Sequence, residues 1–170
     1  QLEIVLDNSN ISNFLESKLI KGKFILSKPK NIEELCDNIE NSEFGIFMDS
    51  GPLHLAKLLR KKGILIITSV SQDILLKDAD AIIAINNEFT SNYCSAPCGL
   101  TNTFNYLGKS GCFESLKLKK SDFLKIKNIN SLQRGRNKDF YIDLLSKPVG
   151  CIKKINIKML LKSINTSLLN

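Results

Sequence analysis

Phe44 to Leu59 reads FGIFMDSGPLHLAKLL, an apolar run that passes through Asp49, Ser50, Gly51 and Pro52 into a stretch holding the chain's single histidine, His54. Phe44 to Met48 predicts a short strand, and its unbroken apolar character predicts burial on both faces. Gly51 to Leu59 predicts a helix. Pro52 suits its first turn, where the missing N–H is an orphan in any case, and Asp49 and Ser50 are both side chains that favour the N-cap.

The same alternation runs outward in both directions. Glu3 to Leu6, Phe24 to Ser27, Ile64 to Thr68 and Ala81 to Ile85 predict strands, while Ile11 to Leu19 and Ile32 to Ile39 predict helices, the second with Asn31 as N-cap. Strands alternating with helices imply an α/β fold, a Rossmann-like open parallel sheet with helices on both faces. In such sheets ligands bind beyond the carboxyl ends of the strands, which directs attention to the turn after Met48. After Ile85 the regularity fails. Residues 86–150 form an irregular region within the domain, and its stretch from Asn86 to Asn130 is rich in Asn, Ser, Gly and Lys and carries three cysteines. Helical periodicity returns near the end, where Ile155, Ile157, Met159, Leu160, Leu161, Ile164 and Leu168 make an apolar face suited to docking on the sheet.

A length of 170 residues with 43% hydrophobic content supports one well-buried domain. No apolar run approaches the roughly 20 residues that cross a bilayer. Gln1 leads almost at once into Ile4-Val5-Leu6 with no targeting segment before it, so the chain reads as cut from something longer. The net charge of +7 comes from lysines in three loose groups, around Lys21 to Lys30, Lys117 to Lys120 and Lys153 to Lys162. Scattered lysines read as a solvated surface, and 7% aromatics without tryptophan leaves few stacking platforms for a nucleic acid partner.

A helix started at Asp49-Ser50-Gly51-Pro52 aims N–H groups and a positive dipole end at the space above the sheet edge, a place for a phosphate or diphosphate. His54 reaches the same space. Capping alone accounts for Asp49, Ser50 and Pro52 without any ligand; it does not account for His54.

Five cysteines, an odd number, argue against a complete disulfide framework and for a reducing compartment. Cys36 falls in an apolar helical pattern and reads as a small buried hydrophobe. Cys94, Cys98, Cys112 and Cys151 are separated by 3, 13 and 38 residues, without the paired C-x2-C knuckles of structural zinc sites. Ordinary reduced thiols are the leading reading, with a disulfide or redox pair and a zinc site as alternatives.

At this point the residues resemble a family. MDSGPLHLAKLLRKKGILIITS is similar to the signature of family 9 glycosyltransferases, the lipopolysaccharide heptosyltransferases and their relatives. NIEELCDNIENSEFGIFM upstream, CSAPCG downstream and the closing PVGCIKKINIKMLLKSI resemble further elements of that family, in order. The resemblance implies a GT-B architecture of two Rossmann-like domains, of which residues 1–170 are the C-terminal, nucleotide-sugar-binding domain. The N-terminal acceptor domain, with the general base, and the first strand of this domain are then expected before Gln1, so no catalytic residue is expected within 1–170.

Carried over residue by residue, the resemblance implies that Asp49, Ser50, Gly51 and His54 line the donor sugar and diphosphate. Lys28, Lys30 and Asn31 are expected near the nucleotide base. The acidic residue that holds the ribose in the family is replaced here by LDNSN, so Asn8 or Asn10 stands in for it and Asp7 sits slightly early. The implied activity is inverting transfer of a sugar, heptose from ADP-heptose, to a lipopolysaccharide core or related glycan. No cofactor or metal is expected. The implied setting is the cytoplasm, with peripheral contact at the inner face of the bacterial inner membrane and a glycolipid acceptor as partner. Arg134 and Arg136, in the basic stretch from Leu132 to Tyr141, are candidates to touch acceptor phosphates or that membrane. A non-catalytic nucleotide- or anion-binding module and a basic interaction domain are the alternatives.

Overall fold

The computed structural model describes residues 1–7, 12, 13, 16, 17, 22–77, 81–92, 94–99, 103–106, 109–112, 114 and 150–169. In chain order the elements are β1 (Glu3–Val5), β2 (Ile25–Ser27), α1 (Ile32–Asn41), β3 (Gly45–Phe47), α2 (Gly51–Leu58), β4 (Gly63–Ile66), α3 (Gln72–Leu75) and β5 (Ile82–Ile85). Then follow β6 (Phe89–Thr90), β7 (Ser95–Ala96), β8 (Thr103–Tyr106), β9 (Lys109–Cys112), α4 (Gly150–Lys153) and α5 (Ile157–Leu169). Of the helix expected over Ile11 to Leu19, residues 12, 13, 16 and 17 are helical and the others lie outside the described residues.

The expected α/β alternation with parallel pairing is present. Strands β3, β4 and β5 pair in that order, all parallel, with Gly45 beside Gly63 and Gly63 beside Ile82. Strands β1 and β2 form a second parallel pair, Glu3 beside Ile25. The sheet is therefore open but not continuous among the described strands: neither β1 nor β3 has a strand partner on its second edge.

Helices cover both faces of the three-stranded sheet because side chains alternate along β4. Leu65 and Ile67 point to the face where Ile39 of α1 and Leu53 and Ala56 of α2 are buried together with Phe47 and Ile82. Ile64 and Ile66 point to the other face, against Ile155, Leu160 and Ile164. That second face corrects the docking surface expected of the last helix. Leu160 and Ile164, one turn apart, meet the sheet, whereas Ile157, Met159, Leu161 and Leu168 are exposed. The apolar positions of α5 span more of its circumference than one contact stripe can bury.

Local chemistry sets the helix ends. Asn31 caps α1, its side chain accepting from the Glu34 N–H at 2.8 Å, while the Glu34 carboxylate accepts from the Lys30 N–H at 2.8 Å. Lys57 and Lys61 donate to the carbonyls of Leu75 and Glu40, at 2.6 Å and 2.8 Å, so two of the lysines tie α2 and the segment after it to their neighbours. Among the described residues no helix is long and apolar enough to cross a membrane.

Candidate functional site

Strands β3 and β4 run parallel, so the residues that follow them emerge on the same sheet edge. Asp49 follows β3, Ser69 follows β4, and the Ser69 hydroxyl donates to the Asp49 carboxylate at 3.3 Å. The bond joins the two strand ends beside the start of α2.

Ser50 occupies the N-cap position of α2 with extended backbone, and its carbonyl accepts from the Leu53 N–H at 3.1 Å. Its side chain does not cap the helix. The hydroxyl turns back to donate to the Met48 carbonyl at 3.0 Å, and among the described residues no side chain caps this end. The expectation that Asp49 and Ser50 act as side-chain caps is corrected accordingly: Asp49 is engaged by Ser69 and Ser50 by Met48. Among the described residues, the first turn of α2 thus presents its positive end without a side-chain acceptor, a condition that favours an external anion. Gly51 faces open space, since a Cβ built there meets nothing within 4 Å. His54 is exposed in the same turn, while its neighbour Leu53 is wholly buried.

The residues expected near a nucleotide base are occupied differently. Lys28 is ion-paired with Glu16 and also donates to the Asn13 side chain at 2.9 Å. Asn31 is used as the cap of α1, and Lys30 contributes its backbone N–H to Glu34. No hydrogen bond or ion pair among the described residues joins Lys28, Lys30 or Asn31 to the turn from Asp49 to His54. Asp7 follows β1, and its carboxylate accepts from the Ser12 hydroxyl. Asn8, Asn10, Arg134 and Arg136 lie outside the described residues.

A second grouping joins the four cysteines whose spacing alone left reduced thiols, a disulfide or redox pair and a zinc site as alternatives. Cys94, Cys98, Cys112 and Cys151 all line one cavity of about 190 Å³, with Glu114 in its wall and Thr68 and Ser69 at the end of β4 closing it. Glu114 is 4% exposed, and one of its carboxylate oxygens accepts from the Ser91 hydroxyl at 2.7 Å. The Gly99 N–H donates to the Ser69 carbonyl at 2.6 Å, so the loop carrying Cys98 is fastened to the residue that also contacts Asp49. The Asn87 side chain donates to the Cys151 carbonyl. No disulfide joins any of the five cysteines. Burial pushes the Cys94 thiol up from 9.0 to about 11, with further upward pressure from Glu114 and from the other three cysteines of the cavity. The Cys151 thiol is also raised, chiefly by burial and then by Cys112.

Gly150 starts α4 at the point where Cys151 enters the cavity. A Cβ there would come within 2.9 Å of the Glu114 Cγ and closer still to the Phe89 ring. Gly150→Ala is expected to lower stability by about 1–3 kcal/mol through overpacking, read as a fall in the denaturant midpoint. An unchanged midpoint would mean that α4 does not sit tightly on β6.

Compared with protein families, curated proteins and solved structures, the chain matches none.

Proposed function

We propose that this chain is the donor-binding half of an inverting glycosyltransferase of the heptosyltransferase type, in which Asp49, Ser50, Gly51 and His54 hold the sugar and diphosphate of a nucleotide-sugar. ADP-heptose is the expected donor and a lipopolysaccharide core glycan the acceptor. The observation that carries the reading is the start of α2: an uncapped helix N-terminus on the sheet edge, with Gly51 open, His54 exposed and a carboxylate held beside it by Ser69. The motif supports it as well, since MDSGPLHLA resembles the donor-site signature of that family.

In this reading the acceptor hydroxyl attacks the anomeric carbon, the bond from that carbon to the diphosphate oxygen breaks, and configuration inverts. The hydroxyl proton passes to a base in a preceding acceptor domain. The N–H groups of α2 and the His54 side chain stabilise the departing nucleoside diphosphate. Asp49 accepts from sugar hydroxyls. In this reading one further parallel strand, expected before Gln1, would lie between the open edges of β1 and β3 and join the two parallel sheets into one. The cytoplasm and the inner face of the inner membrane are the corresponding setting.

The test is calorimetric titration of the full-length protein with ADP, UDP, GDP and ADP-heptose, repeated with Asp49→Ala and His54→Ala. Loss of a hydrogen bond to a charged group corresponds to about 1.5–3 kcal/mol, so each variant is expected to weaken donor binding by roughly 10- to 100-fold. Donor affinity unchanged in both variants would overturn the assignment of the turn. Binding without transfer to any glycan acceptor would replace the enzyme by a non-catalytic nucleotide-binding module.

A further inference from the structure

We propose that Cys94, Cys98, Cys112 and Cys151 form a tetrathiolate zinc site that clamps the region after β5 onto the end of β4. The proposal is independent of sugar transfer, because it concerns other side chains and another probe.

The first support is convergence. Four thiols from three separate stretches of chain, the β6–β7 loop region, the end of β9 and the start of α4, line a single cavity. Their sequence spacing lacks paired knuckles, but zinc requires four ligands in tetrahedral array and not any particular spacing. Thiolate is the ligand type that selects zinc over hard cations such as magnesium or calcium.

The second support is the chemistry of the groups around the cavity. Among the described residues from 86 to 114, the buried side chains are those of Asn87 and Glu114, both polar. Strands β6 and β7 are two residues each. A pair that short does not hold itself together in water and takes its support from elsewhere. The donor groups around the cavity are also of one sign. Besides the four thiols its wall holds the Glu114 carboxylate, and no lysine or arginine among the described residues lines it. Thiolates and a carboxylate around one space attract a divalent cation and repel an anion.

As they stand, no three such groups among the described residues are close enough to share an ion. Closure therefore takes side-chain rotation. The cavity of about 190 Å³ leaves room for it, being several times the ~30 Å³ share of one water in the liquid. Each thiol releases its proton to solvent as its sulfur binds the metal, with Zn–S bonds of about 2.3 Å.

The test uses the full-length protein, purified under reducing conditions without chelator, with metal content and thiol reactivity measured together. One zinc per chain is expected, with the four cavity thiols protected from alkylation until a chelator removes the metal. Replacement of zinc by Co²⁺ is expected to give the thiolate-to-metal charge-transfer absorption of a tetrahedral sulfur site. Cys98→Ser is expected to lower zinc affinity by at least about 100-fold, since even outer-shell partners are worth about 10- to 100-fold. Cys36→Ser, on α1 and away from the cavity, is expected to leave affinity unchanged. If the Cys98 variant does not fold, the Co²⁺ spectrum of the unaltered chain decides alone. Folded, reduced protein that retains neither zinc nor cobalt, a Co²⁺ spectrum without sulfur charge transfer, or a disulfide between any two of the four would overturn the proposal.

Discussion

Leu53→Ala is expected to destabilise the protein by about 2–5 kcal/mol, the range for truncating a buried leucine when its surroundings close only partly over the space. Leu53 is 0% exposed and lies in the larger core cluster with Phe47, Ala56, Leu65 and Ile67. It fastens the first turn of α2 to the sheet. Domains of this size commonly have about 5–15 kcal/mol of net stability, so the loss is a large share of the whole. Chemical denaturation reads it as a lower midpoint with an unchanged slope. His54→Ala, one residue along and exposed, is expected to change stability by no more than about 0.5 kcal/mol. The contrast separates the two roles within one turn: Leu53 holds the helix down and His54 faces outward. A neutral Leu53→Ala would mean that α2 is not docked through this face.

Gly63→Ala is the second large effect, and it acts on the pairing of β3 with β4. Gly45 and Gly63 are register partners, and the Phe47 ring lies across them. A Cβ on Gly63 would come within 2.6 Å of the Gly45 carbonyl oxygen and 2.7 Å of the Phe47 Cε2. The ring can move; the carbonyl belongs to the paired strand and cannot without loosening the ladder. Overpacking of this kind costs about 1–3 kcal/mol, and the backbone contact places Gly63→Ala at the upper end or beyond. A double variant tests the cause. The three atoms nearest a Cβ on Gly45 all belong to the Phe47 ring, so Phe47→Leu is expected to relieve part of the cost of Gly45→Ala and little of the cost of Gly63→Ala. Equal rescue at both positions would mean that the ring, and not the strand pairing, sets the limit.

Much of the architecture was legible because its signals are local. Asn31 was readable as a cap from its place before an apolar helical pattern, and its side chain takes the Glu34 N–H as expected. The apolar runs at 44–48, 64–68 and 81–85 gave the three paired strands to within two or three residues. The four-residue helix α3 was not legible, since Gln72 to Leu75 is too short to show a helical period. Nor was the rotation of α5: its apolar residues are spread around the helix, and only contact with Ile64, Ile66 and Ile85 selects Leu160 and Ile164 as the inner face. In the candidate donor site the residue types were readable, but the partners of Asp49 and Ser50 were not. Ser69 reaches Asp49 only because β3 and β4 lie side by side, twenty residues apart in sequence.

By itself, then, the sequence determined the order of strands β1 to β5, the strand-to-helix turn at Asp49 to His54, and the parallel character of the pairing among those strands, because each depends on periodicity or on backbone preferences within a few residues; the antiparallel pairs β6–β7 and β8–β9 correct the reading of 86–150 as irregular. The tertiary structure alone decided that Asp49 is held by Ser69 and not by the helix it precedes, that the described parallel strands fall into two sheets, and that four cysteines spread over 58 positions from Cys94 to Cys151 surround one cavity with a buried Glu114. Those facts depend on where the chain returns in space. No local spacing encodes that path; it is set by which apolar faces of β4 and its neighbours are covered by which helices.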